Sequence, residues 1–493
     1  MLLLDRQALT AGNAAAPTVA TRRRTWLVLA GAVVLTLGLR LPYLHLPLGV
    51  DEGGVAFVAR AWGTGHGSLY GAYWLDRPPL LVALYKVAGL GGATGIRVLA
   101  SLAAVALVMA TTLTARAVAG ERAARIAALL SAVLASSLAL RAVLAPAEGL
   151  ASAPAAASIG CLVLAHRRRR MGWLVAAGGL AVCAALVKQS FLDAGFAGTV
   201  FVIAGGVRDR RPPWREALAY AGGAVVPLLA VGAWLLAADV PAASLVYAVA
   251  GFRLQGLHTL AASSVPLTAR LHSLLLPGAL SGLFLALLVA LGGFRALRGD
   301  RVLVATLAAW LAGCAVGVLG GGSYWPHYLI QLIAPTSLLA AAALASAPPA
   351  ARLAATLAIV AVSVLATVGG LSLARVTEEQ TTPLAVARYV RAHARPGDTQ
   401  YVLYARANVD YYTGLPSPYP YAWSLMVRAI PGATQRLVGL LDSPRRPTWV
   451  VRWQRPELWG LDPHGATRRA LHRHYRLAAR IGGRAIYHTR SPR

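Results

Sequence analysis

Residues 49–80 read GVDEGGVAFVARAWGTGHGSLYGAYWLDRPPL. The stretch follows the first long apolar segment of the chain. It opens on two adjacent carboxylates, Asp51 and Glu52, and closes on Asp76-Arg77-Pro78-Pro79 after a run of Gly and aromatic residues. Only 13% of this chain is charged. Charges gathered beside a hydrophobic segment in so apolar a chain point to use, and this stretch is the candidate active site. The competing reading of two neighbouring acids is a pair of solvated loop residues.

Working outward, the 493 residues are 57% hydrophobic, and the mean hydropathy is +0.59. A soluble domain carries roughly twice this fraction of charge. Apolar runs of about 20 residues recur along the chain, each long enough to cross a bilayer as a helix. These features give an all-α polytopic membrane protein. Eleven spans are expected, at about 26–46, 95–118, 125–144, 148–165, 172–187, 217–238, 271–292, 302–320, 328–345 and 353–373, with the sixth running from Lys188-Gln189 back to RDRRPPWR.

The formal net charge of +29 raises the question of nucleic acid. Yet the arginines before Ser372 fall mostly in short loops between apolar runs, as in HRRRR (166–170) and RDRRPPWR (208–215). That is the positive-inside pattern, with no basic face interleaved with aromatics, so no nucleic-acid partner is expected. It places the N-terminus inside the cytoplasmic membrane and the C-terminus outside. Residues 1–25 read as a disordered cytoplasmic leader; a signal peptide would carry its arginines before the small-residue stretch. Residues 26–375 form the membrane domain, with a first outer loop at 47–94 in which GVAFVARAW makes a short helix on the membrane surface.

From about residue 376 the composition changes. TPLAVARYVRAHARPGD reads as a helix stopped by Pro-Gly, QYVLYA and PTWVVRW as strands, and RRALHRHYRLAAR as a further helix. Alternating helices and strands over 376–493 predict a small extracytoplasmic α/β domain. Cys161, Cys183 and Cys314 lie in apolar runs without metal-ligand spacing and read as packing residues.

The DE pair after the first span, followed by a G-x-x-Y-like stretch and a basic-Pro-Pro-Leu signature, resembles the GT-C membrane glycosyltransferases. The resemblance is to the protein O-mannosyltransferase and lipid A aminoarabinose transferase group. It implies a sugar transferase using a polyprenyl-phosphate-sugar donor, with a glycan, lipid or protein as acceptor, at a bacterial cell envelope. The acid of the first outer loop is catalytic in that family, which gives Asp51 the role of base with Glu52 beside it. The family usually has Lys before Pro-Pro; Arg77 keeps a cation there with a different geometry.

Further positions follow from the same resemblance. Glu148, opening the fourth span, matches a second acidic residue, and it also sits where a helix N-terminus favours an anion. Lys188 matches a basic residue for lipid phosphate. His327 and Tyr328 match an outer-loop H-Y motif, with an interfacial aromatic belt as the other reading. Arg253 and His258 fall in the loop where the family contacts its lipid carrier. Of 47 Lys and Arg, only Lys86 and Lys188 are lysines, and both fall on the expected outer side. A donor phosphate needs such cations, although Lys86 equally fits a snorkelling helix-end residue. Some relatives look metal-dependent, so a divalent ion at Asp51 and Glu52 is an open expectation, although no ligand cluster demands one. The rival functions are a flippase for lipid-linked sugars, which needs charges buried mid-span, and a catalytically silent lipid-binding relative.

Overall fold

A computed structural model describes residues 18–490 apart from 64–67, 263–265, 373–374, 405 and 456. The expected leader therefore lies outside the described residues up to position 17. Helix α1 (Val19–Arg40) begins at Thr18, whose hydroxyl accepts from the Thr21 amide. Arg22, Arg23 and Arg24 thus form the first turns of the helix and do not precede it.

Helix α2 (Val50–Ala61) carries the DE pair in its first turn. It is followed by α3 (Pro79–Ala88), which starts at the Pro-Pro step where a fixed φ and a missing N–H cost nothing. Helix α4 (Gly92–Leu134) is continuous except for a kink at Ala119-Gly120, where Gly120 takes φ 82°. This kink is the turn between the second and third expected spans. The third span is shorter than expected, since its helix ends at Leu134 and turns occupy the following residues.

Next come α5 (Ala147–Arg168), α6 (Gly172–Val187), α7 (Asp193–Asp209) and α8 (Trp214–Ala237). The long outer loop expected at 239–270 is largely helical, with α9 (Ala242–Val246) running through a π-turn into α10 (Phe252–Ala261). Helices α11 (Leu267–Leu280) and α12 (Leu283–Ala296) meet at a 75° bend. The membrane part closes with α13 (Arg301–Leu319), a 3-10 segment (Pro326–Leu332), α14 (Ile333–Ser346) and α15 (Pro349–Ser372).

Among the described residues seven helices are long and apolar enough to cross a membrane, or eight if the bent pair is one span, against the eleven expected. The difference has three sources. Two expected spans are joined in α4, α6 has only 16 residues, and α7 has 17.

The tail folds as α16 (Arg375–His393), β1 (Gln400–Leu403), α17 (Ala407–Thr413), α18 (Ser424–Ala429), α19 (Ala433–Asp442), β2 (Trp449–Arg452), α20 (Ala466–His474), β3 (Tyr475–Ile481) and β4 (Arg484–Thr489). The sheet order is β1-β2-β4-β3, with β1 parallel to β2 and the other pairs antiparallel. Val386, Val390, Val402, Val409, Trp449 and Ile486 form its core. QYVLYA and PTWVVRW are strands as expected. RRALHRHYRLAAR is not one helix: it ends at His474 and YRLAAR becomes β3. The glycines at 482 and 483, both at positive φ, make a tight hairpin turn that hands this segment a partner strand, and pairing overrides its helical tendency.

Helix α2 does not lie free on a membrane surface. Its residues 52–59 are buried, because α17 of the tail covers it. The Leu48 carbonyl accepts from Asn408 Nδ2 at 3.1 Å and the Leu48 amide donates to the Tyr412 hydroxyl at 2.5 Å. The approach requires glycine: a Cβ at Gly53 would stand 2.4 Å from Cβ of Asn408, and one at Gly54 would stand 2.2 Å from the Trp423 ring. Gly53→Leu is expected to weaken this docking by about 1–3 kcal/mol, the usual cost of overpacking. Limited proteolysis checks it, with faster cleavage between the membrane part and the tail domain than in the wild type.

The same interface holds a buried titrating group. Asp410 of α17 accepts from Gln400 Nε2 at 2.9 Å. Burial pushes its carboxyl up to about 7, against the opposing influence of Gln400 and Arg60. The folded state therefore keeps a proton that the unfolded chain gives up near pH 4. Stability falls as pH rises from about 4 to about 7, by about 1.4 kcal/mol per pH unit at most. Asp410→Asn is expected to flatten that fall, as read from the thermal midpoint at pH 5 and pH 8.

Candidate active site

The two acids of the DE pair part company. Asp51 is exposed at the start of α2, and its Oδ1 accepts from the Trp423 indole N–H at 3.1 Å. Glu52 is buried, 4% exposed, and its carboxylate is fully engaged. Its Oε2 accepts from the Gly49 amide at 2.7 Å, which caps α2, and its Oε1 accepts from the Ala145 amide at 2.5 Å. The Arg97 guanidinium pairs with the same Oε1, and also donates to the Pro47 carbonyl at 3.1 Å. Glu52 is therefore held as a structural tie, with both carboxylate oxygens occupied. With one acid consumed the pair does not fit a metal ion. Among the described residues no group of three or more His, Cys, Asp or Glu is placed to hold one.

A second tie supports the first. Arg40, buried at the end of α1, donates to the carbonyls of Ala135 (3.0 Å), Ala142 (2.6 Å) and Leu144 (3.2 Å) and to Ser101 Oγ (3.2 Å). These bonds satisfy the irregular segment after α4, whose backbone has no helical partners. Together the two arginines fix the chain just before α5, the helix whose first turn carries Glu148.

Glu148, Lys188, His327 and Tyr328 come together as one buried cluster. Lys188 pairs with Glu148 Oε1, from which His327 Nε2 stands 3.6 Å away. The Lys188 ammonium lies over the Tyr328 ring, 4.4 Å from its centroid, and the His327 and Tyr328 rings meet edge-on at 5.2 Å.

Beside it lies Asp76, part of the opening stretch but given no role of its own from the sequence. Asp76 Oδ2 receives Arg77 Nη1 at 2.7 Å and Arg253 Nη2 at 2.9 Å, so one carboxylate holds two guanidinium groups. Gln189 Nε2 donates to the Asp76 carbonyl at 2.8 Å, linking this trio to the end of α6. Burial pushes the Asp76 carboxyl up, but Arg253 and Arg77 outweigh it and hold it below the usual carboxylate range. Burial lowers Arg77 in turn, and the carboxylates of Asp76 and then Asp51 outweigh it. The signal for Asp76 was its place directly before Arg77 in a chain with few acids.

Two of these cations, Lys188 and Arg253, line a cavity of about 1140 Å³, and Arg77 is tied to Arg253 through Asp76. Lys188, Gln189, Arg253 and Tyr328 line one end, and Val182, Leu186, Phe196, Leu228, Leu245 and Val249 form apolar walls. Asp193 also borders the cavity. Its carboxylate is spent on Trp310 Nε1 (2.9 Å), Gln331 Nε2 (3.1 Å) and Cys314 Sγ (3.0 Å), joining α7, α13 and the 3-10 segment.

Two expected residues lie elsewhere. Lys86 is exposed, donates to the Trp62 carbonyl at the end of α2, and sits 5.5 Å from the Trp62 ring centroid. It caps a helix and snorkels, since its long stem reaches an interfacial partner. His258 is exposed on α10, while Arg253, Gly256, Leu257 and Leu260 supply the face that lines the cavity. The helical turn carries His258 to the other side.

Three long-separated parts of the chain therefore supply an exposed carboxylate, a set of phosphate-competent cations and an apolar cavity. A profile of the dolichyl-phosphate-mannose-protein mannosyltransferase family matches residues 76–236, which hold Asp76, Arg77, Glu148 and Lys188. No curated protein gives a significant match. Among solved structures the fold is similar to ArnT from Cupriavidus metallidurans bound to undecaprenyl phosphate, with a TM-score of 0.66 and 17% identity over 94% of this chain and 97% of that one. It is also similar to the oligosaccharyltransferase AglB from Archaeoglobus fulgidus in complex with an inhibitory peptide and a dolichol-phosphate, with a TM-score of 0.55 and 14% identity over 88% of this chain and 70% of that one. Another AglB structure, in complex with Zn and sulfate, matches with a TM-score of 0.52 and 15% identity over 94% of this chain and 73% of that one. The chain accordingly has the fold of the GT-C membrane glycosyltransferases, in its ArnT-like form.

Proposed function

We propose that this protein is a membrane glycosyltransferase that moves a sugar from a polyprenyl-phosphate donor to an acceptor hydroxyl outside the cytoplasmic membrane. The observation that carries the reading is a large, mostly apolar cavity lined by the Lys188 and Arg253 cations, with Arg77 paired to the same Asp76 carboxylate as Arg253. A lipid phosphate has this division: an anion that needs several donors, and a chain that needs only apolar walls.

In this reading Asp51 takes the proton of the acceptor hydroxyl as its oxygen attacks the anomeric carbon. The bond from that carbon to the phosphate oxygen breaks, and its electron pair leaves with the lipid phosphate. Lys188, Arg77 and Arg253 stabilise the charge that develops on the departing group. Glu148 and Asp76 hold those cations in place, with His327 and Tyr328 packed around Lys188. One displacement inverts the anomeric centre.

Helix length supports the expected sidedness. Helix α5 has 22 residues and is about 33 Å long, with Glu148 in its first turn and His166, Arg167 and Arg168 in its last. An arginine cluster belongs on the cytoplasmic side, and in this reading the site and the tail domain face outside. The donor is thus a lipid of the membrane itself, and the acceptor is a glycan, lipid or protein of the cell envelope.

The test is label transfer from a set of radiolabelled polyprenyl-phosphate sugars in membranes containing wild type or Asp51→Asn. Transfer by the wild type, lost in the folded variant, supports the reading. Equal transfer by both removes Asp51 from the mechanism.

A further inference from the structure

The tail domain approaches the site at one short segment, residues 419–425, between α17 and the body of α18. This segment is stapled on both sides. The Pro420 carbonyl accepts from the Trp74 amide at 3.3 Å, and the Tyr421 ring lies 5.7 Å from the Trp74 ring. On the tail side, the Tyr401 hydroxyl donates to the Tyr421 carbonyl at 3.2 Å, and Arg436 Nη2 donates to the Tyr421 hydroxyl at 2.8 Å. Leu425 reaches the wall of the apolar cavity. Trp423, half-buried between them, gives its indole N–H to Asp51 Oδ1.

The indole is held by its other end. A Cβ at Gly54 would stand 2.2 Å from Cζ2 and 2.6 Å from Cη2 of Trp423, both atoms of the six-membered ring. Gly54 is therefore a socket for that ring, three residues along α2 from Asp51. With the ring seated there, Nε1 is aimed back at the carboxylate. An exposed aspartate on a first helical turn otherwise samples several rotamers, and each costs alignment with the reacting atoms.

We propose that Trp423 is a positioning residue for the base: the tail domain reaches across the membrane boundary to fix Asp51 through one indole N–H, leaving Oδ2 to receive the acceptor proton. The inference rests on the reading of Asp51 as base. It makes the tail domain part of the active site, although 372 residues separate the two partners.

A packing role alone would give the same contacts, so the test must separate the N–H from the ring. Trp423→Phe keeps an aromatic ring at this position and removes the donor. Trp423→His keeps an N–H at nearly the same place on a five-membered ring and removes the six-membered ring. Purified full-length variants are assayed with a polyprenyl-phosphate sugar that the wild type uses, at equal folded fraction, beside Asp51→Asn. Trp423→Phe is expected to lower kcat about tenfold, the size of one lost charge-assisted hydrogen bond, with donor KM and thermal midpoint unchanged. Trp423→His is expected to retain more of kcat than Trp423→Phe. The reverse order, or wild-type kcat in Trp423→Phe, overturns the proposal. If Asp51→Asn is inactive while Trp423→Phe matches the wild type, only the positioning role fails; if Asp51→Asn is fully active, the base assignment fails and the proposal with it.

Discussion

Glu52→Ala is expected to destabilise the protein by about 3–5 kcal/mol, because it strands a buried Arg97 without its counter-charge. The carboxylate meets two amides and one guanidinium, and of these Ala145 and Arg97 are buried. Removing it also uncaps α2 and frees the Ala145 amide just ahead of α5. The expected outcome is poor yield and a lowered thermal midpoint in detergent. Combining it with Arg97→Met should recover part of the loss, since a missing pair costs far less than half a pair. A simple additive loss in the double variant would show that Arg97 does not act through Glu52.

Asp51→Asn is expected to lower kcat about 10²–10⁴-fold while leaving the fold intact. Asp51 is exposed, and an asparagine oxygen can still accept from Trp423, so little structure depends on its charge. Donor binding should survive as well, because the phosphate cations are anchored on Asp76 and Glu148. Measured kcat, donor affinity and thermal midpoint together check this. A loss of donor affinity equal to the loss of kcat would make Asp51 a binding residue. The contrast between neighbours is the sharper prediction: one acid controls rate and the next controls stability.

That contrast was not legible in the sequence, where the two acids look alike. What parts them is the helical turn of α2, which directs position 52 toward α4 and position 51 toward the tail. Glu148, Lys188, His327 and Tyr328 were named from the family resemblance, and the structure brings them into one cluster because each lies at an end of an apolar run. Arg40 and Arg97 sit at similar ends and were not singled out. Their true partners are carbonyls and a carboxylate 45 to 104 residues away, which periodicity does not report. Lys86 and Lys188 looked equivalent by composition, yet only Lys188 finds a buried acid. In the tail, β1 and β2 were legible from their β-branched runs. Strand β3 was not, because its helix-compatible residues become a strand only through pairing with β4.

The most direct test of the central claim is the fate of the donor's own glycosidic bond. Purified wild-type protein in liposomes is given an acceptor extract and a polyprenyl-phosphate sugar labelled separately in the sugar and in the lipid. The account predicts that the two labels part in equal amounts, with free lipid phosphate remaining in the bilayer and sugar in the product. Movement of intact, doubly labelled donor from one leaflet to the other, with no release of lipid phosphate, would contradict it and make the protein a carrier.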